Sequence, residues 1–351
     1  MIFDIKMRVN LIGTGKLGLA YASLISSKGH AVHCIDSNES MIESYKSGNF
    51  ETKEPGVASL ASDWPMTYSH IKEPVPECDF SIVLVPTPTT YSGYDHSILE
   101  SVLETLSGKI VVTCTVQPGF CDRYGDRLIY NPLFVQIGNI LDNLNNTKDV
   151  LIGGPDGELH DFYKSLFGRD ATLHYMSYLE AEVAKLGLNS FITTKISFAN
   201  MVGDALRRSG RPADKTLRFI GSDRRVGSKC LQYGWGYGGP CFPRDNRALS
   251  TFLREKGSYD YLPVAAHESN ERHAVEQANY FEGDTLEGVC YKDDCEVDII
   301  EESHKIKTAY VLKSQGRKFT IVDRPEVLKL LPKDLAGLSE PSGCDDSQSA
   351  A

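Results

Sequence analysis

The stretch Arg8–Gly18, which reads RVNLIGTGKLG, decides the fold of this chain. A short apolar strand runs straight into a G-x-G-x-x-G turn, and the apolar spacing that follows predicts a helix over 17–28. A second strand is predicted over 31–35, and Asp36 comes directly after it. Strand, glycine turn, helix, strand and acidic residue, in this order, are typical of a dinucleotide-binding βαβ unit.

Each glycine of this motif has its own expected role. Gly13 allows the tight turn, Gly15 lets the backbone approach a pyrophosphate, and Gly18 permits close packing of the helix on the strand. The phosphates are expected at the N-terminus of the helix. The carboxylate of Asp36 would accept hydrogen bonds from ribose hydroxyls and repel a 2′-phosphate. The motif therefore predicts NAD, rather than NADP, as the cofactor.

Further strands and helices follow the motif. Apolar runs predict strands over 80–85, 110–114, 127–130 and 149–153, with a helix over 96–106 between the first two. This alternation predicts an α/β fold with a doubly wound parallel sheet, a Rossmann domain. Ligands of such sheets bind beyond the carboxyl ends of the strands. The residues that we expect at this rim are Pro86, Thr87, Thr115 and Asn131.

A second informative stretch is Gly234–Asp245, which reads GWGYGGPCFPRD. Its glycines indicate a place where something approaches the backbone closely. A helix is predicted over 242–257, so that Cys241 lies at a helix N-terminus, where the dipole favours a thiolate. From these residues alone, an activated nucleophile and a buried thiol in a glycine loop are both open.

The rest of the chain predicts two long helices and a small C-terminal segment. A helix over 179–209 carries Lys185 and Asn189 on one face, either as a functional pair or as a solvated surface. Another, over 261–281, is apolar enough to pack against a second copy of the chain. Beyond Gly283, strands over 285–291 and 318–323 flank a helix over 301–315. We therefore expect four regions: a NAD-binding domain over 1–176, a central helical domain over 177–282, a shortened C-terminal β-α-β domain over 283–336 and a disordered tail over 337–351.

Composition and charge narrow the classes of function. The formal net charge of −10 disfavours nucleic acid as a partner, yet residues 204–256 hold twelve Lys or Arg against five Asp or Glu. That block indicates either a solvated basic face or a site for an anionic small molecule. No apolar run approaches the roughly 20 residues that span a bilayer. The nine cysteines are scattered and include no C-x-x-C pair, which predicts reduced thiols in the cytoplasm and no metal site.

The order of these motifs resembles that of the nucleotide-sugar 6-dehydrogenase family, which includes enzymes for UDP-glucose and GDP-mannose. The similarity covers roughly the first 280 residues and is carried by the segments GTGKLG (13–18), VPTPTT (85–90), CTV (114–116), NPLF (131–134), K-x-x-x-N (185–189), RRVG (224–227) and GYGGPCFPRD (236–245). The resemblance implies a homodimer that oxidises the primary alcohol of a nucleotide sugar to a carboxylate with two NAD. A UDP-sugar, UDP-glucose above all, is the expected substrate.

The resemblance also implies roles for individual residues. Cys241 would be the nucleophile that forms a thiohemiacetal and a thioester, Lys185 and Asn189 would stabilise oxyanions, and Asp245 and Thr115 would assist proton transfer. The implied cofactor contacts are Gly13, Gly15, Lys16, Leu17, Gly18, Asp36, Pro86, Thr87, Thr115 and Arg244. The implied substrate contacts are Phe134, Lys185, Asn189, Arg225, Tyr237, Gly238 and Lys292.

The chain departs from the family in two places. The family has glutamates where this chain has Leu133 and Ile137, and the first of them serves as a base in thioester hydrolysis. In the C-terminal segment Lys292 matches a family lysine, but a family arginine has no counterpart. Two other interpretations therefore stay open. One is a β-hydroxyacid-type NAD dehydrogenase, which needs no cysteine. The other is a catalytically impaired relative that binds NAD or a sugar nucleotide.

Overall fold

The computed structural model describes residues 6–90, 93–292 and 297–342. The chain divides into two compact units: unit 1 is Met1–Thr90 with Tyr94–Lys185, and unit 2 is Tyr91–Gly93 with Leu186–Ala351. The four regions expected from the sequence stay a prediction. Within the described ranges, no helix has both the length and the apolar character that crossing a membrane requires.

Unit 1 alternates strands and helices, as the sequence pattern predicts. Its strands are β1 (Arg8–Ile12), β2 (Ala31–Asp36), β3 (Thr67–His70), β4 (Phe80–Val83), β5 (Thr89–Thr90), β6 (Gly93–Tyr94, whose glycine belongs to unit 2), β7 (Ile110–Val112), β8 (Leu128–Tyr130), β9 (Asp149–Gly153) and β10 (Thr172–Met176). Its helices are α1 (Lys16–Ser27), α2 (Glu39–Lys46), α3 (Val57–Asp63), α4 (Ser97–Thr105), a 3₁₀ helix (Cys121–Arg127), α5 (Ile140–Asn145), α6 (His160–Phe167) and the start of α7 (Tyr178–Arg208).

The main sheet has eight strands in the order β10-β9-β8-β7-β4-β1-β2-β3. Strand β1 is central and pairs in parallel with β2 and β4, and the sheet remains parallel from β3 to β8. The prediction of an α/β, parallel, doubly wound sheet is confirmed. Strand β9 runs antiparallel to β8, so β9 and β10 form a reversed pair at one edge.

Both faces of this sheet are covered. Alternate residues of β1 show why, since Leu11 joins one apolar cluster and Ile12 the other. The first cluster includes α1, α5 and α6, and the second includes α4 and the beginning of α7. Burial on both faces accounts for the nearly continuous apolar runs in the strands. It also leaves the carboxyl ends of the parallel strands as the place where loops can carry polar groups.

Unit 2 is mostly helical and ends in a small sheet. After α7 come α8 (Asp214–Ser222), α9 (Phe242–Glu255), α10 (Tyr261–Asn279), α11 (His304–Ser314), α12 (Pro325–Leu328) and α13 (Lys333–Ala336). The strands are β11 (Thr285–Glu287), β12 (Thr320–Asp323) and β13 (Ser339–Pro341), all parallel, in the order β11-β12-β13. The predicted long helices agree with α7, α9 and α10 to within about two residues at each end.

The C-terminal segment differs from the expectation in two respects. It is a three-stranded β-α-β-α-β arrangement instead of a single β-α-β unit, because β13 adds a third strand. The predicted disorder from Gly337 is wrong for residues 337–342. Leu338 packs on the apolar cluster of this segment and accepts a hydrogen bond from the Ile321 amide at 2.7 Å. The remainder of the predicted tail, 343–351, lies outside the described residues.

Candidate active site

The glycine turn after β1 has the shape that a dinucleotide requires. Gly13 has φ +94°, and a Cβ there would overlap the carbonyl of Leu84. A Cβ on Gly18 would overlap the carbonyl of Gly13, so the start of α1 packs directly on the turn. At Gly15, by contrast, a Cβ would meet no atom of the described residues within 4 Å. The backbone at Gly15 is therefore open to an approaching ligand.

The first turn of α1 and Asp36 complete this arrangement. Among the described side chains, none caps the N-terminus of α1 at Gly15, which leaves its first N–H groups free to meet a phosphate. Asp36 ends β2, and its carboxylate accepts hydrogen bonds from the Thr14 amide at 2.7 Å and the Asn38 amide at 2.9 Å. These residues fit NAD: the open turn suits a pyrophosphate, and the fixed carboxylate suits ribose hydroxyls.

The loops after β4 and β7 meet at the same rim of unit 1. The buried hydroxyl of Thr87 donates a hydrogen bond to the carbonyl of Thr115 at 3.0 Å. The rest of the Thr115 loop is held by Glu182 of α7, which is fully buried and accepts hydrogen bonds from the Gly119 and Cys121 amides. Burial raises the pKa of Glu182. The sequence offered no signal for this role of Glu182, because a single acidic residue in an amphipathic helix looks like a solvated one.

Lys185 is buried and faces the segment after β8. Only 7% of the residue is exposed, its Nζ donates to the carbonyl of Leu133 at 2.8 Å, and Nζ lies 4.3 Å from the ring centre of Phe134. A solvated surface is thus excluded for Lys185. Leu133 stands where the family has a glutamate. Its backbone carbonyl contacts the Lys185 cation, and the Leu133 side chain packs against the core of unit 1.

In unit 2, the half-buried Asn189 pairs with the buried Asp245. The Nδ2 of Asn189 donates to Asp245 Oδ2 at 2.6 Å, and Asp245 is 1% exposed. The Asp245 amide donates to the carbonyl of Cys241 at 2.9 Å, and the Nε of Arg244 lies 3.5 Å from its carboxylate. The structure therefore brings together three residues that the sequence singles out: Asn189, Cys241 and Asp245.

Cys241 occupies the N-cap position of α9 and is exposed. The prediction that this thiol lies at a helix N-terminus is confirmed, and this position favours the thiolate. Other thiols are poorly suited to nucleophilic chemistry. Burial raises the pKa of Cys114 to about 11 and places that of Cys121 well above its usual value. Among the described cysteines, only Cys241 and Cys230 are exposed.

The glycines before Cys241 make room for the protein itself. We call residues 234–240 the Cys241 loop. A Cβ on Gly236 would overlap the side chain of Asn270, and one on Gly238 would overlap the carbonyl of Glu302. Gly239 has φ +81° and faces an aromatic ring. The expectation of a close approach is correct, but at these three positions the approaching groups are side chains and backbone of unit 2.

The remaining predicted substrate contacts lie in different surroundings. Tyr237 is buried, and its hydroxyl accepts a hydrogen bond from Asn246 at 3.0 Å. Arg225 is exposed and pairs with Asp223, Nη2 to Oδ2 at 2.6 Å. Lys292 is half-buried, next to residues outside the described part of the chain. Contacts of all these residues with a substrate stay predictions.

A doubly wound parallel sheet with an open glycine turn and an acidic residue at the end of β2 defines the class of dinucleotide-binding Rossmann proteins. Comparison with protein families then identifies the family. Residues 7–169 match the NAD binding domain of the UDP-glucose/GDP-mannose dehydrogenase family, and residues 179–272 match its central domain. The chain belongs to this family. The prediction of NAD as the cofactor is confirmed by the first match.

Individual relatives agree with this assignment. The chain is 29% identical over 293 residues to the UDP-glucose 6-dehydrogenase TuaD of Bacillus subtilis, a match that covers 76% of this chain and 64% of TuaD. The UDP-glucose 6-dehydrogenase of Rhizobium meliloti is 26% identical, with 95% and 84% of the two chains covered. Among solved structures, a UDP-glucose dehydrogenase from Pyrobaculum islandicum has the same fold, with a TM-score of 0.82, 23% identity, and 97% and 87% coverage.

Proposed function

We propose that this protein oxidises the primary alcohol of a nucleotide sugar to a carboxylate, with two NAD as hydride acceptors and Cys241 as the nucleophile. UDP-glucose, converted to UDP-glucuronate, is the substrate we favour. The observation that carries the proposal is the exposed thiol of Cys241 at the N-terminus of α9, beside the hydrogen-bonded Asn189–Asp245 pair. The relatives named above supply the substrate class.

The proposed chemistry has four steps, for which NAD supplies the hydride acceptor. In the first, the alcohol carbon loses a hydride and its hydroxyl a proton, which gives an aldehyde. The Cys241 thiolate then adds to the aldehyde carbon, and the aldehyde oxygen takes up a proton to give a thiohemiacetal. Loss of a second hydride from that carbon, and of a proton from its hydroxyl, gives a thioester. Water finally attacks the acyl carbon, the thiolate leaves, and the carboxylate and two protons are released.

The side chains of this chain have defined parts in the proposal. Lys185, a buried cation, would stabilise the negative oxygen that forms when thiolate or water attacks. The Nδ2 of Asn189 already donates a hydrogen bond to Asp245. Asp245 has an acceptor oxygen held in place in this way, so it would orient the attacking water. Thr115, fixed at the rim of unit 1 through Thr87, would assist proton transfer.

The release of the thioester is the step that this chain is least equipped for. Leu133 provides a carbonyl to Lys185, but its apolar side chain can neither hold nor deprotonate water. A positioned base commonly contributes about 10²–10⁴-fold to such a step. This observation favours a second candidate, a relative in which oxidation outpaces hydrolysis, so that the acyl-enzyme accumulates.

The test is to count NADH per sugar. Purified protein is incubated with NAD and each of UDP-glucose, UDP-N-acetylhexosamines and GDP-mannose, and both NADH and sugar acid are quantified. Two NADH per sugar support the proposal, and a burst of NADH with acyl-Cys241 detected by mass spectrometry supports the second candidate. Full turnover by Cys241→Ser would refute both and favour a β-hydroxyacid-type reaction. No NADH from any sugar nucleotide would leave NAD or nucleotide binding as the function.

We further propose that the functional form is a cytoplasmic homodimer. Helix α7 exposes an apolar stripe in unit 2, formed by Leu188, Phe191, Phe198 and Met201, and Phe191 alone is 65% exposed. Their spacing of three and seven residues puts them along one side of the helix. Contiguous exposed apolar surface of this kind marks an interaction site. Light scattering of wild type and Phe191→Glu tests this: a dimer that becomes a monomer is expected, and a wild-type monomer would refute it.

A further inference from the structure

The Cys241 loop forms no helix or strand, so its shape depends on side chains that hold its backbone. The main one is Asn270 of α10, which is 2% exposed. Its Oδ1 accepts a hydrogen bond from the Tyr237 amide at 2.9 Å, and its Nδ2 donates to the Tyr237 carbonyl at 3.0 Å. One side-chain amide thus satisfies both backbone groups of a buried residue, as a neighbouring β-strand would.

This contact has a strict geometric requirement. A donor and an acceptor must lie side by side at the end of a short side chain, which among the ordinary residues Asn alone provides at this length. Gly236 is part of the same contact, since any Cβ there would overlap the Asn270 amide and the ring of His304. His304 in turn donates from Nε2 to the backbone carbonyl of Asn270 at 3.0 Å. Asn270 therefore packs against Gly236 and is bonded by His304, and these contacts fix the side chain that binds the loop.

The hydrogen bonds continue from Tyr237 to the helix that carries Cys241. The Tyr237 hydroxyl accepts from Asn246 Nδ2 at 3.0 Å, and the Oδ1 of Asn246 accepts from Thr193 at 2.9 Å. Asn246 lies in α9, five residues after Cys241. A buried path of hydrogen bonds therefore runs from α10, through the loop, to the first turns of α9.

A second group on α10 holds the beginning of the loop. The Nε2 of His273 lies 2.7 Å from the Gly234 carbonyl, and the Nε2 of Gln277 donates to the same oxygen at 3.1 Å. Asn270, His273 and Gln277 are three and four residues apart, so they lie on one face of α10. The loop is thus fixed at its first residue, Gly234, and at its middle residue, Tyr237.

We propose that Asn270 is a positioning residue for the Cys241 thiol. It fixes the loop at Tyr237 and so keeps the first turn of α9 formed beneath the thiolate. The inference rests on the proposed role of Cys241 in catalysis. Without the hydrogen bonds between Asn270 and Tyr237, the Cys241 loop gains conformations and the N-terminus of α9 frays. The thiolate then loses both its position and its stabilisation by the helix dipole.

The test compares Asn270→Asp, Asn270→Ala and the control Asn279→Ala. Asn270→Asp keeps the acceptor for the Tyr237 amide and sets a second acceptor against the Tyr237 carbonyl. Asn279 is an exposed residue of the same helix whose side chain bonds only to Gln315 in the described part of the chain. For each protein, the thermal midpoint, kcat, the KM for NAD and the rate of Cys241 alkylation by iodoacetamide are measured, the last by peptide mass spectrometry.

For folded Asn270 variants we expect kcat to fall about 10–100-fold with the KM for NAD unchanged, because a displaced nucleophile affects the chemical step. Cys241 alkylation should slow by about two- to fivefold, in line with the loss of a helix-dipole contribution. The control should match wild type throughout. Wild-type alkylation in folded Asn270→Asp overturns the inference, whatever happens to kcat. If Cys241→Ser retains full turnover, the proposed function fails, while alkylation of the Asn270 variants still decides whether Asn270 positions the thiol.

Discussion

Acidification should destabilise unit 2 through His304. This residue is 2% exposed, and its Nε2 donates to the backbone carbonyl of Asn270. Within the described residues, its Nδ1 has no hydrogen-bond partner. The ring of His273 lies 5.2 Å away. Burial, together with that neighbour, lowers the pKa of His304 from 6.5 to about 3. A second proton would place an N–H and a charge where no acceptor receives them.

The size of the effect follows from this shift in pKa. The unfolded chain takes up a proton on His304 near pH 6.5, whereas the folded chain resists it until about pH 3. Stability from neutral His304 is therefore fully present above pH 6.5 and is lost as the pH falls towards 3. Each pH unit within this window corresponds to about 1.4 kcal/mol. Between pH 7 and pH 5 the wild type should lose about 2 kcal/mol of unfolding free energy through this one residue.

His304→Gln isolates this contribution, because glutamine keeps a donor for the Asn270 carbonyl but does not titrate. Urea unfolding is followed at pH 7 and pH 5 by the fluorescence of Trp235, 6.2 Å from the His304 ring, in a Trp64→Phe background. His304→Gln should be the less stable protein at pH 7, and its deficit should shrink by about 2 kcal/mol at pH 5. His160→Gln, at an exposed histidine, is the control. A deficit that stays constant between the two pH values would refute the burial argument.

Three further predictions concern other parts of the chain. Leu133→Glu should speed carboxylate release about tenfold or more by restoring a base, as followed by decay of the acyl-enzyme; an unchanged decay would show that Leu133 is not the deficit. Asp36→Asn should raise kcat/KM for NADP relative to NAD about tenfold, since it removes a charge that repels the 2′-phosphate; an unaltered ratio contradicts this. Gly239→Ala should lower the thermal midpoint more than Gly257→Ala. Both positions have positive φ, +81° and +69°, but only at Gly239 does a ring, that of Tyr291, occupy the space.

The sequence predicted those features that depend on local pattern. Gly13 and Asp36 could be placed because a tight turn and a strand end leave their signature in neighbouring residues. The position of Cys241 followed in the same way from the helix pattern after it. The direction of β9 could not be predicted, since an apolar run reads the same whether its strand is parallel or antiparallel. Strand β13 was missed because its polar, proline-containing sequence forms a strand only through pairing with β12.

Long-range contacts account for what the sequence left out of the site. Glu182 looks like a solvated acid in the helix pattern, and only the fold shows that it holds the Thr115 loop. Asn270 is likewise an ordinary helix residue until its distance to Tyr237 is known. Both are polar side chains that satisfy the backbone of a distant loop. Such partners have no fixed spacing in the chain, so no local pattern reveals them.

The Cys241 loop links the C-terminal segment to the proposed chemistry. Gly238 packs against the Glu302 carbonyl, and the Gly239 amide donates to the Glu301 carbonyl at 2.9 Å. His304, three residues after Glu301, donates a hydrogen bond to the backbone carbonyl of Asn270. The segment therefore supports the Cys241 loop directly, whether or not it also binds a nucleotide. These contacts matter to the proposed chemistry independently of base recognition, because without them the proposed nucleophile Cys241 has no fixed position.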